Sequence, residues 1–127
     1  MGYKITLNPS ECLAMEPIKL AELMGEEMKF DIPENVETKE NQKRAANTIT
    51  KATALASYFT DMETKARLMK RAAKAGKNKD EFDRLIGVEE VFKSCKEIAK
   101  MQIENVAKIM TLRRLDLDEQ RNGNYVT

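Results

Sequence analysis

The sequence predicts an all-α protein: a long antiparallel helical hairpin with short N-terminal helices, assembling as an oligomeric helical bundle. The 127 residues include only three prolines and five glycines. Alanine, lysine, glutamate, methionine and leucine are abundant, and this composition favours helix over sheet. Two long stretches carry apolar residues at helical spacing. Apolar residues make up 42% of the chain, which is enough for a core.

The N-terminal region is predicted to be an extended arm followed by short helices. Apolar and polar residues alternate over the arm, 1–8. Asn8 then suits a helix cap and Pro9 the first helical position. Pro17 lies too deep for a single helix, because it removes a hydrogen bond and clashes with the preceding turn. The region 9–29 is therefore expected to form two short helices.

Two long helical segments are predicted to follow. The first covers 38–76, and Gly76 ends it in the way common at helix C-termini. The second covers 80–118, with Gly87 either interrupting the helix or absorbed into it. The tail 120–127 is expected to be loose. The length of the chain fits one domain.

The first long helix carries a seam typical of helix pairing. Its apolar residues recur at steps of 4, 3, 4, 3, 3, 4, 3 and 4, a mean of 3.5, as in a coiled coil. At about 1.5 Å per residue the two long helices span roughly 57 and 45 Å, too long for the short helices to cover. We therefore predict a homo-oligomer, most simply a dimer. The predicted oligomer seam comprises Ile49, Ala52, Ala56, Phe59, Met62 and Met69.

Charge is unevenly distributed although the net charge is only +1. Residues 1–40 contain nine acids and four bases, 41–79 two acids and ten bases, and 80–127 ten acids and eight bases. The stretch 65–79 holds seven lysines or arginines and no acid. One interpretation is structural: the acidic N-terminal segment covers the basic helix, or meets it across an oligomer interface.

The other interpretation is an anion-binding surface. Four basic residues are spaced i, i+3, i+4 and i+7, which places them in one stripe on a helix. Such a stripe suits the phosphates of a nucleic acid or a nucleotide ligand. No nucleic-acid-binding motif accompanies it, and aromatic residues that stack on bases are scarce nearby. The candidate phosphate-binding residues are Arg67, Lys70, Arg71 and Lys74.

The sequence offers little for catalysis, and we expect no enzyme activity, cofactor or metal. Histidine is absent, which removes the commonest general base and zinc ligand. Cys12 and Cys95 lack a metal-ligand spacing and are predicted to be buried thiols. No phosphate-binding glycine motif is present. A metal-dependent hydrolase would have to use Glu26, Glu27, Glu37 and Glu40, which do not form the paired acidic motifs of such enzymes.

These observations favour a non-catalytic helical binding protein. Its size and charge suit an accessory regulator or inhibitor, such as a phage or mobile element encodes, that binds or sequesters a protein partner. The alternative is binding of nucleic acid or nucleotide phosphates through 65–79. No apolar run reaches the length of a membrane span, and the first residues lack the apolar core of a signal peptide. We therefore expect no membrane association and a cytoplasmic location.

Overall fold

A computed structural model describes the backbone of residues 2–126 and the side chains of residues 2–121. The described residues form four α-helices and contain no β-strand. These helices are α1 (Pro9–Ala14), α2 (Pro17–Glu27), α3 (Lys39–Ala75) and α4 (Lys79–Val126). α3 and α4 pack against each other as a long antiparallel hairpin. The all-α class and the long helix pair are thereby confirmed, whereas the oligomeric assembly stays a prediction.

Side-chain caps begin three of the four helices. Asn8, Thr38 and Asn78 each accept a hydrogen bond from the backbone N–H three residues later, at 3.1, 3.0 and 3.3 Å. Each bond satisfies an amide that has no partner within the first helical turn. α2 has no side-chain cap and begins directly at Pro17, which ends the preceding helical path as the sequence predicts.

A tight turn joins α3 to α4. The Asn78 amide donates to the Ala73 carbonyl at 2.9 Å and the Lys77 amide to the Lys74 carbonyl at 3.1 Å, a pattern that closes a helix C-terminus. Lys77 has a φ of 57°, in the left-handed region. Gly76, which the sequence marks as the end of the helix, has an ordinary φ of −81°. The left-handed position therefore falls on a lysine rather than on the neighbouring glycine.

The core consists of two buried clusters at different heights along the hairpin. In the larger one the rings of Phe59 and Phe92 lie 6.3 Å apart between α3 and α4, and α1 and α2 pack over them. The smaller cluster, at the open end of the hairpin, groups Val36, Ala45 and Val106. The buried members of the larger cluster are Cys12, Leu13, Leu20, Met24, Leu55, Phe59, Met62, Ala66, Val88, Phe92 and Cys95.

The junction between α1 and α2 is fastened to α4. Arg84 Nη1 donates hydrogen bonds to the carbonyls of Leu13 and Met15, both at 2.8 Å. Gly87 lies within α4 and faces Pro17, so closely that a Cβ at this position would be 2.5 Å from the Pro17 Cγ. Gly87 is therefore absorbed into the helix, where it lets α2 approach.

α4 extends further than the sequence predicts. The sequence predicts a helix over 80–118 and a loose tail over 120–127, whereas the structure has one helix that runs to Val126; Thr127 lies outside the described residues. No proline occurs in this region, and one glycine such as Gly123 costs a helix only about 1 kcal/mol. Because α4 has 48 residues and α3 has 37, α4 projects beyond the start of α3 by about 16 Å.

Candidate binding surface at the hairpin end

The basic stretch 65–79 covers the last turns of α3, the connecting turn and the first residue of α4. Together with the first turn of α4 it forms the closed end of the hairpin, which we call the hairpin end and define as residues 65–83. This segment carries seven basic and three acidic side chains, a net charge of +4. The predicted phosphate-binding stripe lies within it, and the structure divides that stripe into two halves.

Arg67 and Lys70 form the half that is held in ion pairs. Arg67 Nε lies 3.0 Å from Glu89 Oε1, and Lys70 Nζ lies 2.6 Å from Glu89 Oε2. Arg67 Nη2 is also 3.0 Å from Glu63 Oε1, and Lys96 Nζ is 2.6 Å from Glu63 Oε2. The resulting network joins α3 to α4. The charges of Arg67 and Lys70 are therefore used in holding the hairpin together.

Glu89 accepts two of the four ion pairs in this network. Burial raises the pKa of its carboxyl, but hydrogen bonds from Lys70 and Arg67, with the attraction of their charges, outweigh burial and leave the pKa below its usual value. Glu63, only 6% exposed, is satisfied on both carboxylate oxygens by cations. Buried carboxylates of this kind are stable only when paired. Pairing with cations of α3 and α4 therefore explains why these two glutamates lie in the interior of the hairpin.

Arg71 and Lys74 form the half that is open. Both side chains are exposed, and neither forms an ion pair with any acid in the part of the chain that the structure describes. Lys65, at the start of the hairpin end and away from the turn, is also exposed and forms no such pair. The same holds for Lys77 and Lys79, which lie at the turn and which the stripe does not include. The sequence indicated the position of Lys77 and Lys79 only through Gly76, which ends α3 and so places the residues after it in a turn. Arg71, Lys74, Lys77 and Lys79 form one basic surface around the hairpin end.

Two shallow grooves flank the turn, and Ala73 and Asn78 line both of them. The first, of about 300 Å³, is lined by Lys74, Lys77 and Lys79 with the half-buried ring of Phe82. The second, of about 450 Å³, is lined by side chains that include Met69, Ala72, Glu81 and Leu85. One groove is therefore basic, and the other is mostly apolar.

Exposed apolar side chains add to this surface. Leu68 is 56% exposed and points away from the core, and Ile86 on α4 is 41% exposed. Isolated exposed apolar residues are ordinary on soluble proteins. Here they lie near unpaired cations and an apolar groove, so the hairpin end combines charge with apolar contact area.

The acidic N-terminal segment does not cover the basic surface. Asp31 pairs with Arg44 at 2.6 Å, and Glu37 lies 3.9 Å from Arg113. Both contacts are remote along α3 and α4 from the hairpin end. A hydrogen bond from Arg44 lowers the pKa of Asp31. Two of the basic residues, Arg67 and Lys70, are therefore neutralised within the chain, as the structural interpretation predicts. The acids that pair with them belong to α3 and α4, and not to the N-terminal segment 1–40.

The predicted oligomer seam lies mostly inside the chain. Five of its six residues, Ile49, Ala52, Ala56, Phe59 and Met62, are buried or half-buried in the hairpin core. Their side chains are taken up by packing against α4 and the short helices. Met69 is the exception, at 37% exposed, and it lines the apolar groove of the hairpin end.

The four glutamates considered for a metal-dependent hydrolase are dispersed among different contacts. Glu26 pairs with Lys29 at 2.9 Å, and Glu27 accepts a hydrogen bond from the Tyr3 hydroxyl at 3.0 Å. Glu37 lies near Arg113, and Glu40 is in the exposed first turn of α3. Among the described residues, no three acidic or cysteine side chains converge as a metal site requires.

The two cysteines are free and buried, which confirms the predicted buried thiols. Burial raises the pKa of the Cys95 thiol to about 11. Burial also raises the pKa of Cys12, although a hydrogen bond from Tyr58 acts in the opposite direction. Since the thiolate is the reactive form, both cysteines are poor nucleophiles in the folded chain.

Comparisons with known proteins do not assign the chain to a family. No protein-family model, curated protein sequence or solved structure matches it. Within residues 2–126, no helix is both long enough and apolar enough to cross a bilayer. The chemistry of the hairpin end is therefore the main basis for a functional proposal.

Proposed function

We propose that the chain is a non-catalytic binding protein that regulates or blocks a protein partner by docking its hairpin end onto an acidic surface. The supporting observation is the set of four cations, Arg71, Lys74, Lys77 and Lys79, that form no ion pair among the described residues. Unpaired cations attract acidic partners and accelerate their association. The neighbouring apolar groove supplies the contact that a protein interface needs at its centre.

The backbone at Lys77 supports the same proposal. A left-handed conformation costs a residue other than glycine about 1–2 kcal/mol, and glycine is the usual residue at this position of a helix end. Folding alone would therefore favour glycine at position 77. A lysine there places a cation at the tip of the hairpin at the expense of stability, as is typical of residues that serve binding.

Lys77→Gly is the variant that tests this role. Because glycine removes the backbone strain, the variant should unfold at a higher urea concentration than the wild type. Because it also removes a cation, it should bind the partner more weakly. An exposed lysine far from the turn, Lys100, provides the matched control: Lys100→Ser removes the same charge and should leave binding unchanged.

The binding measurement uses a photo-crosslinking amino acid at Leu68 in the cell that makes the protein, followed by identification of the crosslinked species. We expect a discrete protein adduct whose yield falls with Lys77→Gly and not with Lys100→Ser. Equal yields in all three backgrounds would show that the hairpin end is not the docking surface. The gain in stability of Lys77→Gly ensures that unfolding does not explain a lower yield.

A second candidate is binding of nucleic acid or nucleotide phosphates by the same cations, and the basic groove beside Phe82 favours it. Fluorescence anisotropy with a labelled oligonucleotide pool at increasing salt tests this directly. Phosphate binding should weaken steeply with salt, and Lys74→Ser should reduce the salt slope by about 1. Leu68→Ser should not affect phosphate binding, whereas it should weaken a protein interface. A pool that does not bind at low salt removes this candidate.

A further inference from the structure

A second surface lies on the side of α4 that faces away from α3. Ile98, Met101, Leu112 and Leu115 are 42, 53, 62 and 51% exposed. With Asn105 and Lys108 between them, these residues follow steps of 3, 4, 3, 4 and 3. At 3.6 residues per turn the six positions fall within an arc of about 100°. We call this set the α4 stripe: Ile98, Met101, Asn105, Lys108, Leu112 and Leu115.

The α4 stripe continues a line along which α4 is already in contact with another helix. Gly87, Val91 and Ser94 precede Ile98 on the same line at steps of 4, 3 and 4. α2 packs over the beginning of this line, where Pro17 meets Gly87. A groove of about 390 Å³ between α2 and α4 then ends at Ile98. Beyond Ile98, no other helix among the described residues packs over the line. The segment 34–37 borders it at Leu112, where both line a shallow groove, but Leu112 stays 62% exposed.

The stripe is symmetric in its chemistry. Read in either direction, its positions are apolar, apolar, polar, polar, apolar and apolar, and the midpoint lies between Val106 and Ala107. A surface of this kind matches a second copy that is rotated by 180° about an axis perpendicular to α4 at the level of that midpoint. Such a rotation is the operation that relates the two chains of a symmetric dimer.

We propose that two copies of this chain associate through their α4 stripes. The two α4 helices run antiparallel, and the two-fold axis that relates them crosses the stripe at the level of residues 106 and 107, between Asn105 and Lys108. This arrangement places Ile98 opposite Leu115 of the second copy and Met101 opposite Leu112. These are the pairings of an antiparallel coiled coil, in which every contact layer combines the two alternating stripe positions. The proposal concerns a different surface from the hairpin end and does not rest on it.

The two polar positions set the direction and the register. In the antiparallel pair, the Lys108 ammonium lies opposite the Asn105 side-chain carbonyl of the second copy, which accepts a hydrogen bond from it. In a parallel pair aligned residue for residue, Lys108 would face Lys108, and like charges in contact disfavour that arrangement. Single polar residues within an apolar seam are known to specify register at some expense of stability.

The size of the surface indicates a reversible dimer. The stripe spans 18 residues, a length of about 27 Å. An interface of that length buries on the order of 1,000 Å² in total, near the lower limit for specific association. We therefore expect a dimer that dissociates at micromolar concentration. Because four of the six contact positions are apolar, salt should not dissociate it.

The test is sedimentation equilibrium of the full chain over concentrations from about 1 to 200 µM, a range suited to a weak dimer. Met101→Lys and Leu112→Glu each place a charge opposite an apolar residue and should raise the dissociation constant at least tenfold. Both sites are exposed in the single chain, so both variants should keep the wild-type helical circular dichroism. Leu68→Lys, an exposed apolar site outside the stripe, is the control and should leave the mass unchanged.

The double variant Met101→Lys, Leu112→Glu tests the register. In the proposed dimer each new lysine faces a new glutamate of the second copy, so the dimer should reform. In a parallel dimer the lysines would face each other, and the double variant would be weaker than either single one. A wild-type chain that remains monomeric throughout the range, or single variants that dimerise normally, would overturn the proposal. A double variant that stays monomeric would overturn the antiparallel register.

Discussion

The contact between Gly87 and Pro17 predicts opposite effects for two substitutions that look alike in the sequence. Gly25 and Gly87 both lie inside helices, and replacing a helical glycine by alanine is ordinarily worth about 1 kcal/mol of stability. A Cβ at position 25 would meet no atom within 4 Å, whereas a Cβ at position 87 would lie 2.5 and 2.9 Å from two ring atoms of Pro17.

The magnitude follows from the steric overlap. Carbon atoms pack at roughly 3.5 Å or more, so Gly87→Ala requires the rigid Pro17 ring to retreat by about 1 Å. Displacements of this kind in a packed region cost about 1–3 kcal/mol. The gain in helix propensity is common to both variants. The difference in unfolding free energy between Gly25→Ala and Gly87→Ala should therefore equal the steric cost, about 1–3 kcal/mol in favour of Gly25→Ala.

Urea unfolding followed by circular dichroism measures both variants under the same conditions. Adding Pro17→Ala should relieve the overlap, so the double variant with Gly87→Ala should lose less stability than the two single changes predict together. If Gly87→Ala were as stable as Gly25→Ala, α2 would not approach α4 at this point, and the account of the α1–α2 junction would be refuted.

Two further predictions concern charged residues in the fold. The pKa of Glu89 is lowered by Lys70 and Arg67 despite burial, so its ion pairs stabilise the chain above the ordinary carboxyl pKa of about 4.3 and are lost as pH falls through the lower, folded value. Thermal unfolding from neutral to acidic pH should show a shallower acid dependence for Glu89→Gln than for the wild type, and identical profiles would contradict this. Arg84→Lys should cost about 1–3 kcal/mol, because a single ammonium does not reproduce two guanidinium bonds to backbone carbonyls together with the pair to Glu81. Hydrogen exchange should then accelerate in α1 before the rest of the chain, and unchanged exchange there would argue against this role of Arg84.

Local signals in the sequence were sufficient to locate the helices. The cap at Asn8, the proline at position 17 and the glycine at position 76 each act within a few residues, so their effect can be predicted without tertiary information. The sequence did not locate the C-terminus of α4, because Asn122-Gly123, a pair typical of turns, lies within the helix. No proline follows to mark where this helix ends, so its last turns carry no local stop signal.

Partners across the hairpin were not predictable from the sequence. The spacing of Phe59 and Met62 identified a face that must be buried, but periodicity does not distinguish a face covered by the same chain from one covered by another copy. The stripe of Arg67 and Lys70 was likewise visible, while its neutralisation by Glu89 depends on how α4 aligns with α3. That alignment follows from the length of the turn and the packing of the whole hairpin.

The two separate core clusters imply that the hairpin does not have one uniform stability. The larger cluster is braced by α1 and α2, whereas the smaller one has only Val36, Ala45 and Val106 fully packed. Regions with few buried contacts open at lower free energy than the molecule as a whole. The start of α3 and the facing part of α4, which surround the smaller cluster, should therefore separate transiently from each other. The two helices should stay packed together near the turn.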